Sequence, residues 1–550
     1  MLSPQAQKPV LYDAHGRPFQ AQASAYHAAS LRDRALASWN PPAGSPDADI
    51  LPELGTLRTR SRDLVRNHGV AGGAVQTMLD SVVGGGLRLS AKPDYRALGR
   101  DINWARDWSR GVEAKFREWA ESINCDAARM LTFAGLTSLA FRALMVDGEA
   151  LALPLWLPGR EGARYATCLQ IIEADRLSNP QDRPDSDTLR GGVEIDEYGA
   201  PVAYWVRKYH PGDDYLGGVV GLWSTVQGLP TMPGGAYLGM ENGLVTYEWE
   251  RIPARTEWGR RRVIHVFDKQ RAGQNRGVPH LASVMRQFKM LEHYQKTELT
   301  AAIVNAMIAL FIETPLDPTS LEQLFTIEAG ASGDLQSVFN QRLNAARAPL
   351  RAGGIYPLLP GEKVTSHSPN RPSGAYAPFV NSLFDGIAVG LGMSPEMFTK
   401  NFRESNYSSA RMALLETWRF FLGRRQFLAT YWCDPVKDLW LEEAVNLGEL
   451  EAPDFYQNRY AYSRAQWIGP GKGWVDPVKE PQGARLRLEG LLSTLETECA
   501  EQGRDYEEVL DQIAFEREMM AERGLAGPAA DSQSWLTGNE AKAKDKEETT

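Results

Sequence analysis

Between Val278 and Ile312 the chain carries its longest uninterrupted helical pattern. Pro279 stands where the first turn of a helix needs no N–H. Leu281, Val284, Met285, Phe288 and Leu291 then recur at three- and four-residue steps, one apolar stripe on one face. Arg286, Lys289, Glu292 and Lys296 take the opposite face. After Glu298 the pattern is apolar almost all round, with Leu299, Ile303, Val304, Met307, Ile308 and Leu310. Such a helix passes from a partly wet setting into a crowded one, and Pro315 and Pro318 close it. Periodicity alone reads it as a core helix of a large globular domain.

Residues 1–50 are polar and turn-rich, an extended arm that either wraps a neighbour or hangs free. Leu51 to Val83 reads as helix, ending at Gly84, Gly85 and Gly86, and Leu87 to Leu89 as a short strand. Ile102–Ala120 is a second helix, rich in aromatic residues, and Thr132–Met145 a third. From Glu149 the period changes to two. Strands are expected over 150–155, 168–172, 192–195, 202–206 and 262–267, with a hairpin turn at Asp196–Gly199. Residues 211–260, rich in Gly, Pro and Trp, read as a long loop or irregular hairpins. Further helices are expected at 335–346, 376–391 and 411–432, with a polar loop at 399–410. An aromatic and glycine turn spans 467–477. Residues 479–523 read as two helical parts broken near Gly503, followed by a charged tail unable to bury a core. The fold class is α+β, mainly helical.

Composition narrows the function. The 550 residues are 43% hydrophobic, enough for several cores. The net charge of −9 argues against tight nucleic-acid binding through the bulk field, though not against a protein that surrounds DNA without gripping it. Cys125, Cys168, Cys433 and Cys499 lie far apart and form neither a disulfide nor a metal framework. The first residues lack a basic-then-apolar signal pattern, and the apolar run at 301–312 is too short to span a bilayer. A soluble, cytoplasmic protein with no membrane association is the expectation.

No catalytic constellation stands out. There is no HExxH and no Gly-x-Ser-x-Gly elbow, and neither the glycine pairs nor Lys363 and Lys472 sit in P-loop register. His265 lies within a strand pattern and reads as a satisfied core or edge residue. No catalytic, metal or cofactor-binding residue is therefore assigned, and the chain leans towards a structural or binding role.

Three segments together carry a resemblance. The run 265–279 contains Arg271, Gly273, Gln274, Arg276, Gly277 and Pro279 in an RxGQxRGxP pattern. Gly392–Met397 is followed by Asn406, Tyr407 and Ser408, ahead of a long helix. Trp467, Gly469 and Pro470 precede a Trp-Val-Asp-Pro run at 474–477. With Arg60–Asn67, these resemble, in order, the lambda-type phage portal proteins, the head-to-tail connector family.

The resemblance implies a ring, commonly a dodecamer, at one capsid vertex of a virion, with an axial channel for double-stranded DNA. It implies no enzymatic activity of the chain itself, since the packaging motor is a separate protein. The implied partners are further copies of the chain, the terminase large subunit, a head–tail adaptor, and the major capsid and scaffold proteins, with assembly in the host cytoplasm. The family's parts map as wing (51–277), first stem helix (278–311), clip (312–364) and second stem helix (365–392). Tunnel loop and following helix take 393–432, C-terminal wing and crown 433–526, and the tail 527–550. Lys400, Arg403, Asn406 and Arg411 are candidates to face DNA; a solvated loop face is the plainer reading. Leu299, Ile303, Met307 and Leu310 are candidates for stem packing. A non-DNA structural adaptor and a nucleic-acid enzyme with an unrecognised site are the other readings.

Overall fold

The computed structural model describes residues 27–30, 33–212, 248–307, 311–313, 363–365, 374–403, 406–473 and 476–525. Helix α1 runs Pro46–Asn67 and α2 runs Gly69–Val82. Ser45 caps α1, its hydroxyl accepting from the Ala48 N–H at 3.2 Å, so the last residues of the expected arm are already helical. The single helix expected over 51–83 is two, because His68 is extended (φ −108°, ψ 107°).

Strand β1 (Arg88–Ala91) leads to α3 (Ile102–Glu121) and α4 (Phe133–Val146), capped by Asp101 and Thr132. Then come β2 (Glu149–Trp156), β3 (Thr167–Ile172), β4 (Leu189–Arg190), β5 (Val193–Ile195), β6 (Pro201–Arg207), β7 (Trp249–Pro253) and β8 (Ile264–Phe267). Strand β7 falls in the stretch that reads from sequence as a long loop or irregular hairpins. It pairs with β6 from Ala203↔Pro253 to Arg207↔Trp249, so the ladder decides what composition obscured. The expected hairpin turn is present: Asp196 accepts from the Tyr198 and Ala200 N–H groups, and Gly199 has φ 78°.

Helix α5 runs Met285–Met307 and starts six residues after Pro279. Residues 281–284 are turns instead of a first helical turn. The His280 N–H is spent on the Met145 carbonyl at 3.0 Å, so tertiary anchoring to the end of α4 overrides helical propensity. Ile312 is not helical either. It lies in β9 (Phe311–Glu313), which pairs antiparallel with β10 (Lys363–Thr365) through Ile312↔Val364. The expected helix at 335–346 and the tail beyond 525 lie outside the described residues.

Helix α6 spans Tyr376–Gly390, α7 Pro395–Thr399 and α8 Tyr407–Leu428. The polar loop is shorter than expected because Asn406 caps α8, accepting from the Ser409 N–H at 2.9 Å. A π-helical turn, Ala429–Cys433, joins α8 to α9 (Asp434–Asn446), which the sequence reading passed over. After α10 (Arg459–Ser463), Trp467 and Ile468 lie in strand β11 (Ala465–Ile468) and not in a turn. The C-terminal block is three helices, α11 (Lys479–Glu489), α12 (Leu495–Glu501) and α13 (Tyr506–Glu522).

Most buried apolar residues belong to one core. Trp432, Trp440, Phe141, Phe288, Phe421, Leu291 and Ile387 join α2, α3, α4, α5, α6, α8 and α9. A smaller core of Leu151, Ile172, Leu177, Val193, Tyr204, Val206, Ile252 and Val263 lies between the β3–β2–β8 and β4–β5–β6–β7 sheets. The fold is α+β and mainly helical, as the pattern predicts. No described helix is long and apolar enough to cross a membrane.

Candidate functional site

The RxGQxRGxP segment links β8 to α5, and its residues divide the work. Gln274 is buried; its Oε1 accepts from the Gln270 and Arg271 N–H groups, and its Nε2 donates to the Arg276 carbonyl at 2.8 Å. Gly273 takes φ 80°, the region that favours glycine. Arg271 reaches back to Asp49 at 2.7 Å and to the Gly44 carbonyl at 3.0 Å. Gly277 packs so closely that a Cβ there would lie 2.0 Å from the Gly148 carbonyl oxygen. Pro279 sits in the same crowd, its nitrogen near Gly148.

Arg276 points inward to a buried ionic cluster. Its Nε donates to Glu149 Oε1 at 2.9 Å, Nη1 to the Leu177 carbonyl at 2.8 Å and Nη2 to the Ala174 carbonyl at 2.9 Å. Glu149, fully buried at the start of β2, also meets Arg58 of α1, His265 of β8 at 3.1 Å and the Gly277 N–H at 2.9 Å. Burial works to raise the Glu149 carboxyl, but Arg276, Arg58 and His265 outweigh it and hold it well below the ordinary carboxylate range. Burial lowers the Arg58 guanidinium, while Glu149 opposes that shift. One carboxylate thus ties α1, β2, β8 and the segment leading into α5. His265 is the satisfied core residue the sequence suggested; Glu149 and Arg58 carried no sequence signal beyond lying in a strand and a helix pattern.

The second motif is also a joint. Trp467 donates from Nε1 to Asp434 at 2.8 Å and packs against Phe116, with ring centres 5.7 Å apart. Gly469 leaves room for Arg425 of α8, whose Nε would lie 2.4 Å from a Cβ there. Arg425 is buried and donates to the carbonyls of Pro470 (2.8 Å), Ser81 (2.8 Å) and Val82 (3.2 Å). Burial lowers its pKa. Sequence reading missed Arg425, since nothing local marks it among the basic residues of α8.

Between α6 and α8 lies the segment with the candidate DNA-facing residues. Lys400 ends α7 in a left-handed conformation (φ 55°) and is exposed, as is Arg403. Asn406 is committed to capping α8; Tyr407 and Ser408 form its exposed first turn. Arg411 lies inside α8, 3.9 Å from Glu480, a counter-charge from α11 that the local sequence does not reveal. On α5, Leu299 and Ile303 are 63% and 51% exposed. Met307 is the last helical residue, with its side chain outside the description, and Leu310 lies outside the described residues.

The described residues hold one cluster with metal-ligand types, Glu173, Asp175 and His210. Asp175 is already paired with Arg62, and Glu173 with His210 at 2.9 Å, so the group reads as a surface ion network. Cys125 is buried and its thiol is pushed up to about 12 by burial, the opposite of an activated nucleophile.

The sequence profile described as "Phage portal protein, lambda family" matches residues 32–228 and 229–425. Portal protein B of Escherichia phage lambda is 34% identical over 521 residues, covering 92% of this chain and 91% of that protein. The chain belongs to the lambda family of phage portal proteins. The portal protein of Escherichia phage N15 is 35% identical over 509 residues, with 90% of each covered. Among solved structures, a chain of the virion of a native gene transfer agent particle aligns over 82% of this chain and 93% of its own. Its identity is 14% and its TM-score 0.41, too loose a likeness to carry an argument.

In this portal-family chain the residues that announce the family are fold joints. Arg276, Gln274 and Gly277 fix the base of α5, and Gly469 and Pro470 seat Arg425 of α8. Asn406 starts α8, and Arg271 fastens the chain just before α1.

Proposed function

We propose that copies of this chain form a closed ring, of twelve subunits, at one vertex of a phage capsid. Double-stranded DNA enters the head through its channel during packaging and leaves through it at ejection. The match to lambda portal protein B over nine-tenths of both chains carries this reading. The chain acts by structure and conducts DNA without catalysing a reaction on it.

Two features support the assignment of parts. The turn-anchored α5 and the antiparallel α6 flank the β9–β10 pair, which brings residues 313 and 363 side by side. This suits two stem helices with the clip, residues 312–364, between them. The clip would meet the terminase large subunit during packaging and the head–tail adaptor afterwards, while the major capsid and scaffold proteins hold the ring in the vertex. Leu299 and Ile303 are exposed in the single chain and become subunit contacts in the ring. Lys400, Arg403 and Arg411 face the DNA, with Asn406 holding the start of α8 beside them. A net charge of −9 suits passage, because each neutralised phosphate adds to the grip on DNA.

Electron microscopy of the purified protein tests this. Annular particles with a central channel are expected. Ile303→Asp is expected to abolish rings while leaving the circular dichroism of the chain unchanged. A strictly monomeric wild-type chain under all conditions refutes the portal reading, and normal rings with Ile303→Asp refute the stem assignment.

A further inference from the structure

Helix α5 carries a charged stripe that the fold does not use. At 3.6 residues per turn, Arg286, Lys289, His293 and Lys296 fall within about 80° on one face. All four are exposed. The buried residues Phe288, Leu291 and Glu298 lie roughly opposite, against the core. Tyr294, on the flank, stacks on Tyr376 with ring centres 5.7 Å apart, which fixes the rotation of α5 about its axis. The stripe is therefore held outward by the packing of the other side.

Its charges are poorly matched by the chain itself. Lys289 pairs with Glu292 at 2.9 Å on the margin of the stripe. No described residue forms an ion pair with Arg286, His293 or Lys296. Several cations elsewhere in this acidic chain are paired: Arg110 with Glu507 at 2.8 Å, Lys92 with Glu496 at 2.7 Å, Arg251 with Glu194 at 2.6 Å. The stripe is thus a local departure from the net charge of −9.

We infer that Arg286, Lys289, His293 and Lys296 form a ladder that contacts the phosphate backbone of duplex DNA; this rests on the portal reading. The ladder spans about 15 Å along the helix, the rise of ten residues. Phosphates of one strand advance ~3.4 Å along the duplex axis per nucleotide while winding around it, so a straight ladder of this length reaches about two or three of them. Arg and Lys supply charge and His293 an N–H donor. None reads a base edge, so the contact is indifferent to sequence, as a moving duplex requires. The exposed apolar pair Leu299 and Ile303 lies beside the stripe further along α5, so one helix presents a phosphate face and a subunit face together.

The test uses assembled rings of the full chain and a short DNA duplex, with affinity measured by fluorescence anisotropy across a NaCl series. The variant carries Arg286→Gln, Lys289→Gln and Lys296→Gln. It is expected to form normal rings, to lose at least about tenfold in affinity at low salt and to flatten the log–log salt dependence by roughly one unit per lost contact. The loss is expected to be equal for duplexes of unrelated sequence. Normal rings with an unchanged salt slope overturn the ladder and leave the portal reading intact. A variant that folds but forms no rings overturns it as well, because the stripe is then a subunit contact. A wild-type chain that forms no rings refutes the portal reading itself.

Discussion

Replacing Glu149 by Ala removes the one anion that Arg58 and Arg276 share. Both guanidinium side chains are almost fully buried, at 4% and 3% exposure. Each would be left as a buried charge without a counter-ion, and breaking a single buried pair costs about 3–5 kcal/mol. The Gly277 N–H loses its acceptor as well, worth about 1 kcal/mol or more. A loss of at least about 4 kcal/mol is a large share of a stability of order 5–15 kcal/mol. Urea unfolding at pH 7, followed by tryptophan fluorescence, is the assay. Changing Glu149, Arg58 and Arg276 together to Met is expected to recover much of the loss, since an apolar replacement strands no charge. The pH dependence has a definite sign. The folded-state carboxyl is depressed, so its contribution is fully present above the ordinary carboxylate pKa near 4.5. It is lost as pH falls through the lower folded value. A loss below about 1 kcal/mol for Glu149→Ala at pH 7, with the urea slope unchanged, would refute the claim that this cluster holds the base of α5.

Three further outcomes are expected. Gly277→Ala drives a methyl into the Gly148 carbonyl and is expected to cost about 1–3 kcal/mol and lower the yield of assembled rings, measured by urea unfolding and sizing chromatography. Burial pushes the Glu113 carboxyl up to about 7 although it accepts from the Ala91 N–H at 2.7 Å, so the folded state binds the proton that the unfolded chain has released between pH 4.5 and 7. Its burden therefore grows as pH rises through that window, and Glu113→Gln is expected to stabilise at pH 8 by up to about 3 kcal/mol and to change little at pH 4, read from paired urea titrations. Helices α11, α12 and α13 bury no residue of their own, and α12 and α13 meet β1, the adjoining Lys92 and α3 through Arg88, Lys92, Arg110 and Arg117, paired with Glu508, Glu496, Glu507 and Glu508. Screening in 1 M NaCl is expected to speed amide exchange in α13 several-fold and to leave α9 unchanged; equal protection at both salts would show that apolar contact holds the block.

The sequence by itself determined a great deal here. Apolar spacing at helical period marked α3, α4 and all but the first turn of α8, and period two marked β2, β3 and β6, because these signals are local; the Asn406 cap that starts α8 four residues earlier was not among them. The ordered series of motifs from Arg271 to Pro470 was enough to place the family. Tertiary structure alone decided where α5 begins, since the His280 N–H is bound by Met145, distant in sequence. It alone made Trp249–Pro253 a strand, because that segment acquires its character only beside β6. It alone turned Arg276 and Gly469 from motif letters into joints, for their partners Glu149, Ala174, Arg425 and Leu177 are remote along the chain. Ion pairs such as Arg411 with Glu480 follow the same rule. Local propensity and pattern can be read from neighbours in sequence, while a buried charge is defined by whichever distant group folding brings to it.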